Sequence, residues 1–127
     1  AGGTVWFDPE LWVGYRPRGS WATLARQYHE YGWWKAEVLR RHPDSLRLRQ
    51  AAPAALPVVL AASLLGARSR PTFLVVPVVY TAALLAAARS IAPASRARGV
   101  LVLAVSHMAW GTGFWRGSTS IRRQRPT

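Results

Sequence analysis

Residues 71–88 read PTFLVVPVVYTAALLAAA, eighteen residues without a Lys, Arg, Asp or Glu. As a helix the run reaches about 27 Å, close to the ~30 Å hydrocarbon core of a bilayer. From Phe73 onward its only polar side chains are Tyr80 and Thr81. A helix of a water-soluble bundle needs a polar stripe, and none is present here. Arg70 and Arg89 stand at its ends and can snorkel toward headgroups. This predicts a membrane-spanning helix. Residues 50–67 (QAAPAALPVVLAASLLGA) and 99–115 (GVLVLAVSHMAWGTGFW) carry no charge either, with Arg49, Arg68, Arg98 and Arg116 beside them. The three runs together predict three transmembrane helices over residues 50–117, followed by a basic tail over 118–127. Pro53, Pro57 and Pro77 fall inside the runs. Membrane helices tolerate them as kinks.

The third run differs from the other two. It contains Ser106, His107, Met108, Trp110, Gly111, Thr112 and Gly113. An ionisable residue in a membrane segment is a functional candidate. The competing reading is a neutral histidine bonded to a neighbouring helix. Gly111 and Gly113 weaken the helix, so a re-entrant course also fits. With the first half cytoplasmic, three crossings put eleven basic residues inside and six outside; if the third run does not cross, the split is fifteen to two. The expectation is a multi-pass protein of a bacterial plasma membrane.

Charge separates the two halves. The chain has 17 Lys+Arg and 5 Asp+Glu, a net charge of +12, and every acid lies at or before Asp44. In a soluble protein this balance would indicate nucleic-acid binding. Arginines at the ends of apolar runs suit anionic lipid headgroups better, so membrane lipids, and no nucleic acid, are the expected partners. Cysteine is absent, which excludes disulfides, thiolate metal sites and cysteine nucleophiles. The sequence has no initiator methionine and opens into strand-like residues, so it reads as the C-terminal piece of a larger protein.

Before the apolar half, GTVWF (residues 3–7) and LWVGY (residues 11–15) flank Asp8-Pro9-Glu10 and suggest a β-hairpin. Ser20 can cap a helix over residues 21–41, which His42-Pro43 would end. Trp21, Leu24, Tyr28, Tyr31, Trp34, Val38 and Leu39 recur at steps of mostly three or four and form an apolar-aromatic stripe. Tryptophan and tyrosine beside arginine are favoured at the membrane–water interface. The helix therefore reads either as interfacial or as packed on a soluble domain. Arg26/Glu30 and Glu37/Arg41 are spaced for ion pairs. The basic segment of residues 40–49 suits a juxtamembrane connector.

Catalytic motifs are missing. There is no Gly-rich phosphate loop, HExxH, GxSxG or Asp-x-Asp, and Asp8 and Glu10 read as turn residues. His29 and His42 have no third ligand at a useful spacing. Taken alone, the chain is expected to be catalytically inert.

The run from Gly2 to Pro53, GGTVWFDPELWVGYRPRGSWATLARQYHEYGWWKAEVLRRHPDSLRLRQAAP, resembles the C-terminal part of bacterial membrane-associated family 2 glycosyltransferases of the succinoglycan-biosynthesis type. HMAWGTGFWRG, beginning at His107, is similar to their last membrane segment. The resemblance implies a GT-A catalytic domain before residue 1, with residues 1–49 as its end. It also implies a divalent metal (Mg or Mn) on an Asp-x-Asp, a nucleotide-sugar donor, a lipid-linked or glycan acceptor, and inverting transfer through an Asp base. None of those catalytic ligands lies in this chain. Processive relatives carry Gln-x-x-Arg-Trp on an interfacial helix. Gln27 matches its first position, while Glu30 and Tyr31 stand at its Arg and Trp positions. The resemblance thus implies substrate binding by Gln27 and Tyr31, with Arg26 and Trp34 beside them, and single-sugar transfer rather than polymerisation. A small non-enzymatic membrane protein, acting as an anchor or assembly partner, is the alternative.

Overall fold

Ser20 starts the first helix. Its hydroxyl accepts from the Thr23 backbone N–H at 3.2 Å, and its extended backbone (φ −122°, ψ 150°) turns the chain into α1, Trp21–Arg41. The His42 N–H closes the last turn on the Val38 carbonyl at 2.8 Å, and Pro43 cannot continue the helix. A short 3₁₀ turn, Pro43–Ser45, leads to α2, Leu48–Gly66. There the Gln50 side chain accepts from the Arg47 N–H at 3.2 Å. After the turn at Arg68–Arg70 the chain forms α3, Val75–Ala87, extended by 3₁₀ turns at Pro71–Leu74 and Ala88–Ser90. A turn at Pro93–Ser95 precedes α4, Arg96–Arg123. This computed structural model describes residues 3, 4, 8–10, 12, 14, 19–45 and 47–123.

α4 is the helix on which the others pack. α1 runs parallel to it: Trp21 and Leu24 lie by Arg98 and Val102, His29 by Gly113, and Ala36 by Gly117. Glycine makes this approach possible. A Cβ on Gly32 would strike the Trp110 carbonyl, one on Gly113 would strike the His29 carbonyl, and one on Gly117 would come within 2.8 Å of the Trp33 carbonyl oxygen. Gly113 and Gly117 form a G-x-x-x-G pair, facing Gly32 and Ala36 at the same spacing on α1. Gly111 meets α2 instead, against the Pro53 carbonyl and the Pro57 ring. The Trp115 indole N–H donates to the Ala54 carbonyl at 2.7 Å, so α2 meets α4 around Pro53–Pro57. α3 runs antiparallel to α4, with Tyr80 by His107 and Ile91, just past the helix, by Gly99.

The prolines are accommodated by name. Pro77 has no N–H for the carbonyl of Phe73, and the Ser63 hydroxyl of α2 donates to that oxygen instead. Thr81 donates to the Pro77 carbonyl at 2.8 Å.

The buried apolar residues among those described are small, apart from one leucine: Ala36, Ala54, Leu84 and Ala88. Large apolar side chains face outward, and on α3 Val75, Val78, Val79 and Leu85 are each more than half exposed. This inverts the arrangement of a water-soluble bundle.

Three membrane spans with a β-hairpin are not what the structure contains. Among the described residues every element is helical and no strand occurs. Residues 8–10 do form a turn, in which the Glu10 N–H donates to the Asp8 carboxylate at 3.0 Å. The strand positions 5–7, 11, 13 and 15 lie outside the described residues. Among the described residues one helix, Pro71–Ser90, is long and apolar enough to cross a membrane, with a mean hydropathy of 1.9. The apolar part of α2, Gln50–Gly66, is a shorter helix. At Gly66 it ends about 5 Å short of a ~30 Å core. α4 does not stop at the edges of its uncharged stretch. It continues from Arg96 to Arg123, taking in Arg98, Arg116 and the serines and threonines after Gly117. Its glycine-rich surface is used on α1 and α2, so Gly111 and Gly113 are contact positions within a continuous helix and mark no re-entrant bend.

Candidate functional site

α1 lies against α4 through Trp21 and Leu24 at its start and through Ala25, His29, Gly32, Trp33 and Ala36 beyond them. Helical geometry turns Gln27, Tyr31, Trp34 and Val38 to the opposite side. Tyr31 is 52 % exposed and Trp34 is 58 % exposed. Tyr31 and Trp34 of the aromatic stripe therefore lie on the free face of α1, while Trp21 and Leu24 lie by α4, and the residues of α1 that are fully buried are the small Gly32 and Ala36. Small residues win that position because two helix backbones approach closely only where no large side chain intervenes.

On the free face the Gln27 amide nitrogen donates to the Tyr31 phenol oxygen at 2.6 Å. Tyr28 meets the Tyr31 ring edge-on, with centroids 5.8 Å apart. Trp33 and Trp34 are also edge-on, at 4.8 Å. The structure thus brings Gln27 and Tyr31 into contact, and the helical repeat sets Trp34 on the same side of α1. Such a surface can stack on the apolar face of a sugar ring while the amide bonds a hydroxyl. Arg26 does not join them. It lines an apolar groove between α1 and α4 with Ala25, His29, Val105, Met108 and Thr112. Glu30, one turn before Trp34, is exposed and makes no ion pair with Arg26.

Electrostatics concentrate at the end of α1. Arg40 and Arg41 bond the Glu37 carboxylate at 2.7 and 2.8 Å. Those two hydrogen bonds, Arg40's first, lower its pKa to about 2. Lys35 is tied to the Ser45 carbonyl and hydroxyl at 2.8 and 3.2 Å, which holds the turn after α1 against the helix. His107, the ionisable residue of the third apolar run, pairs through Nδ1 with the Tyr80 hydroxyl at 3.2 Å. It joins α4 to α3.

Among the described residues no group of three or more His, Asp or Glu side chains converges. The divalent metal that the resemblance implies has no ligand set among them, and no catalytic step is derived through it. The glycines that set the α1–α4 register were not singled out as contact residues from the sequence, although the Gly113-x-x-x-Gly117 spacing carried that signal.

No protein-family profile matches the chain. No solved structure matches it either. The chain is similar to the succinoglycan biosynthesis protein ExoA of Rhizobium meliloti (strain 1021), 31% identical over 129 aligned residues that cover 98% of this chain. It spans 38% of the length of that relative.

Proposed function

We propose that this chain is the membrane-anchoring region of a glycosyltransferase that works in exopolysaccharide or cell-envelope synthesis. The likeness to a succinoglycan biosynthesis protein along nearly the whole chain carries this reading. The exposed apolar helix Pro71–Ser90 supports the anchor. The free face of Gln27, Tyr31 and Trp34 supports a contact with sugar. In this reading the nucleotide-sugar, its divalent metal and the catalytic base belong to a catalytic domain of the enzyme. This chain holds that domain at the bilayer and presents α1 to the acceptor. The acceptor is lipid-linked or glycan, so an enzyme fixed at the membrane meets it in two dimensions instead of three.

Two measurements test the proposal. Membranes from cells expressing the chain are washed at alkaline pH. The wild type stays with them, and the pair Val78→Lys and Val79→Lys releases it, because each buried charge costs about 2.5–3.5 kcal/mol in a bilayer centre. Retention of the double variant equal to wild type would overturn the anchor. Transfer from labelled nucleotide-sugars to extractable acceptor is then followed in the complete enzyme. Absence of transfer from every donor tried would overturn the activity.

A further inference from the structure

A hollow of about 270 Å³ opens where α1 and α4 begin, lined by Gly19, Ser20, Trp21, Leu24, Arg98 and Val102. Arg98 is exposed, and the ion pairs among the described residues belong to Glu37 alone. No acid follows Asp44 in the sequence. Arg96 folds over the preceding loop, where its Nε donates to the Ile91 carbonyl at 3.1 Å and its Nη2 to the Arg89 carbonyl at 3.5 Å. Arg89, Arg96 and Arg98 thereby belong to one corner of the fold. The candidate span Pro71–Ser90 ends at this same corner, with Leu85 exposed about a turn before Arg89.

The hollow thus combines an unpaired guanidinium with an aromatic and an aliphatic wall, at the end of a helix whose outer face is apolar. We propose that it binds the phosphate of an anionic lipid headgroup. Arg98 pairs with the phosphate oxygens, and Trp21, Leu24 and Val102 pack on the glycerol and the first acyl carbons. Arginine is suited to phosphate by its planar set of donors. Tryptophan is favoured at the depth where headgroup meets chain. A free phosphate would leave the apolar wall without a partner, which favours the lipid as its source. The inference rests on the membrane reading above.

The test reconstitutes the chain in phosphatidylcholine vesicles with and without phosphatidylglycerol. Native mass spectrometry then counts the phosphatidylglycerol retained after detergent extraction. Arg98→Gln is expected to lower retention about fivefold, the worth of one basic residue near an anionic lipid. Arg68→Gln, the same charge change at the α2–α3 turn, leaves retention within about twofold. Arg98→Lys keeps part of it and, with circular dichroism, guards against a folding defect. Equal losses from the Arg98 and Arg68 variants would mean general charge attraction and would overturn the site. Displacement of the lipid by inorganic phosphate at matched concentration would reassign the hollow to a free anion and also overturn it. Retention unchanged in Arg98→Gln sinks the inference while leaving the anchor intact, whereas a wild type that stays out of both vesicles sinks the anchor itself.

Discussion

Ser63 of α2 donates its hydroxyl hydrogen to the carbonyl oxygen of Phe73 at the start of the apolar helix. Phe73 stands four residues before Pro77, so its carbonyl has no helical donor, and Ser63 is itself only 4 % exposed. Ser63→Ala is expected to destabilise the chain by about 1–2 kcal/mol, because it strands a carbonyl. Pro77→Ala restores a backbone donor, so the cost of Ser63→Ala should shrink in that background. Thermal unfolding of the four proteins in one detergent measures the difference, and equal costs in both backgrounds would refute the link.

Gly113 is one of the two tightest points between α1 and α4, with Gly32. An added Cβ would collide with the His29 carbonyl and lie 2.9 Å from the His29 Cα, all of it backbone. Gly113→Ala is expected to cost about 1–3 kcal/mol by forcing the helices apart. Gly19→Ala is the control, since nothing lies within 4 Å of its Cβ position. Comparable melting temperatures for the two variants would disprove the close approach.

Glu37 makes stability at the end of α1 depend on acid. Hydrogen bonds from Arg40 and Arg41 lower its carboxyl from 4.5 to about 2 in the folded chain. A depressed carboxyl stabilises the fold above the unfolded value, and that contribution disappears as pH falls from 4.5 towards about 2. Helicity and thermal midpoint followed across this window should decline in the wild type, and the part of the decline due to Glu37 should be absent in Glu37→Gln. Identical acid profiles would remove the carboxylate from the account.

The Gln27–Tyr31 pair predicts a kinetic effect in the complete enzyme. Gln27→Ala removes the amide that donates to the Tyr31 phenol. Sugar transfer should fall about tenfold, the equivalent of one hydrogen bond of ~1.4 kcal/mol. The amount of enzyme in the membrane should stay the same, because both side chains lie on the face of α1 away from α4. Full turnover in Gln27→Ala would end the assignment of a substrate role to this face.

The chain's sequence carries its helix boundaries more openly than its contacts. Ser20 and Pro43 mark the two ends of α1 because caps and proline act within a few residues. The number of spans was not legible in the same way. An uncharged run of seventeen residues says nothing of whether the helix continues through Arg116, and α4 does continue. The hydrophobic period on α1 was also a poor guide to its partner. It included Tyr31 and Trp34, which stay exposed, whereas the residues of α1 that are fully buried are Gly32 and Ala36, whose small size leaves almost no hydropathy signal. Gly111, Gly113 and Gly117 look like helix breakers when helix propensity is considered alone, and they become contact positions once a second backbone lies against them. The candidate site followed from the resemblance for Gln27, Tyr31 and Trp34. That Arg26 points elsewhere follows from a single helical step of 100°.

The pairing of α1 with α4 also sets an order of assembly. Gly32 cannot meet its neighbours until Trp110 and Phe114 have been synthesised, and every turn of α2 and α3 is made in between. At ~5–20 residues per second, α1 waits roughly 4–15 s after leaving the ribosome before its partner exists. During that interval the face of α1 that holds Gly32 and Ala36 lacks its α4 partner. Translation speed across residues 42–117 therefore controls how long this helix stays open to aggregation.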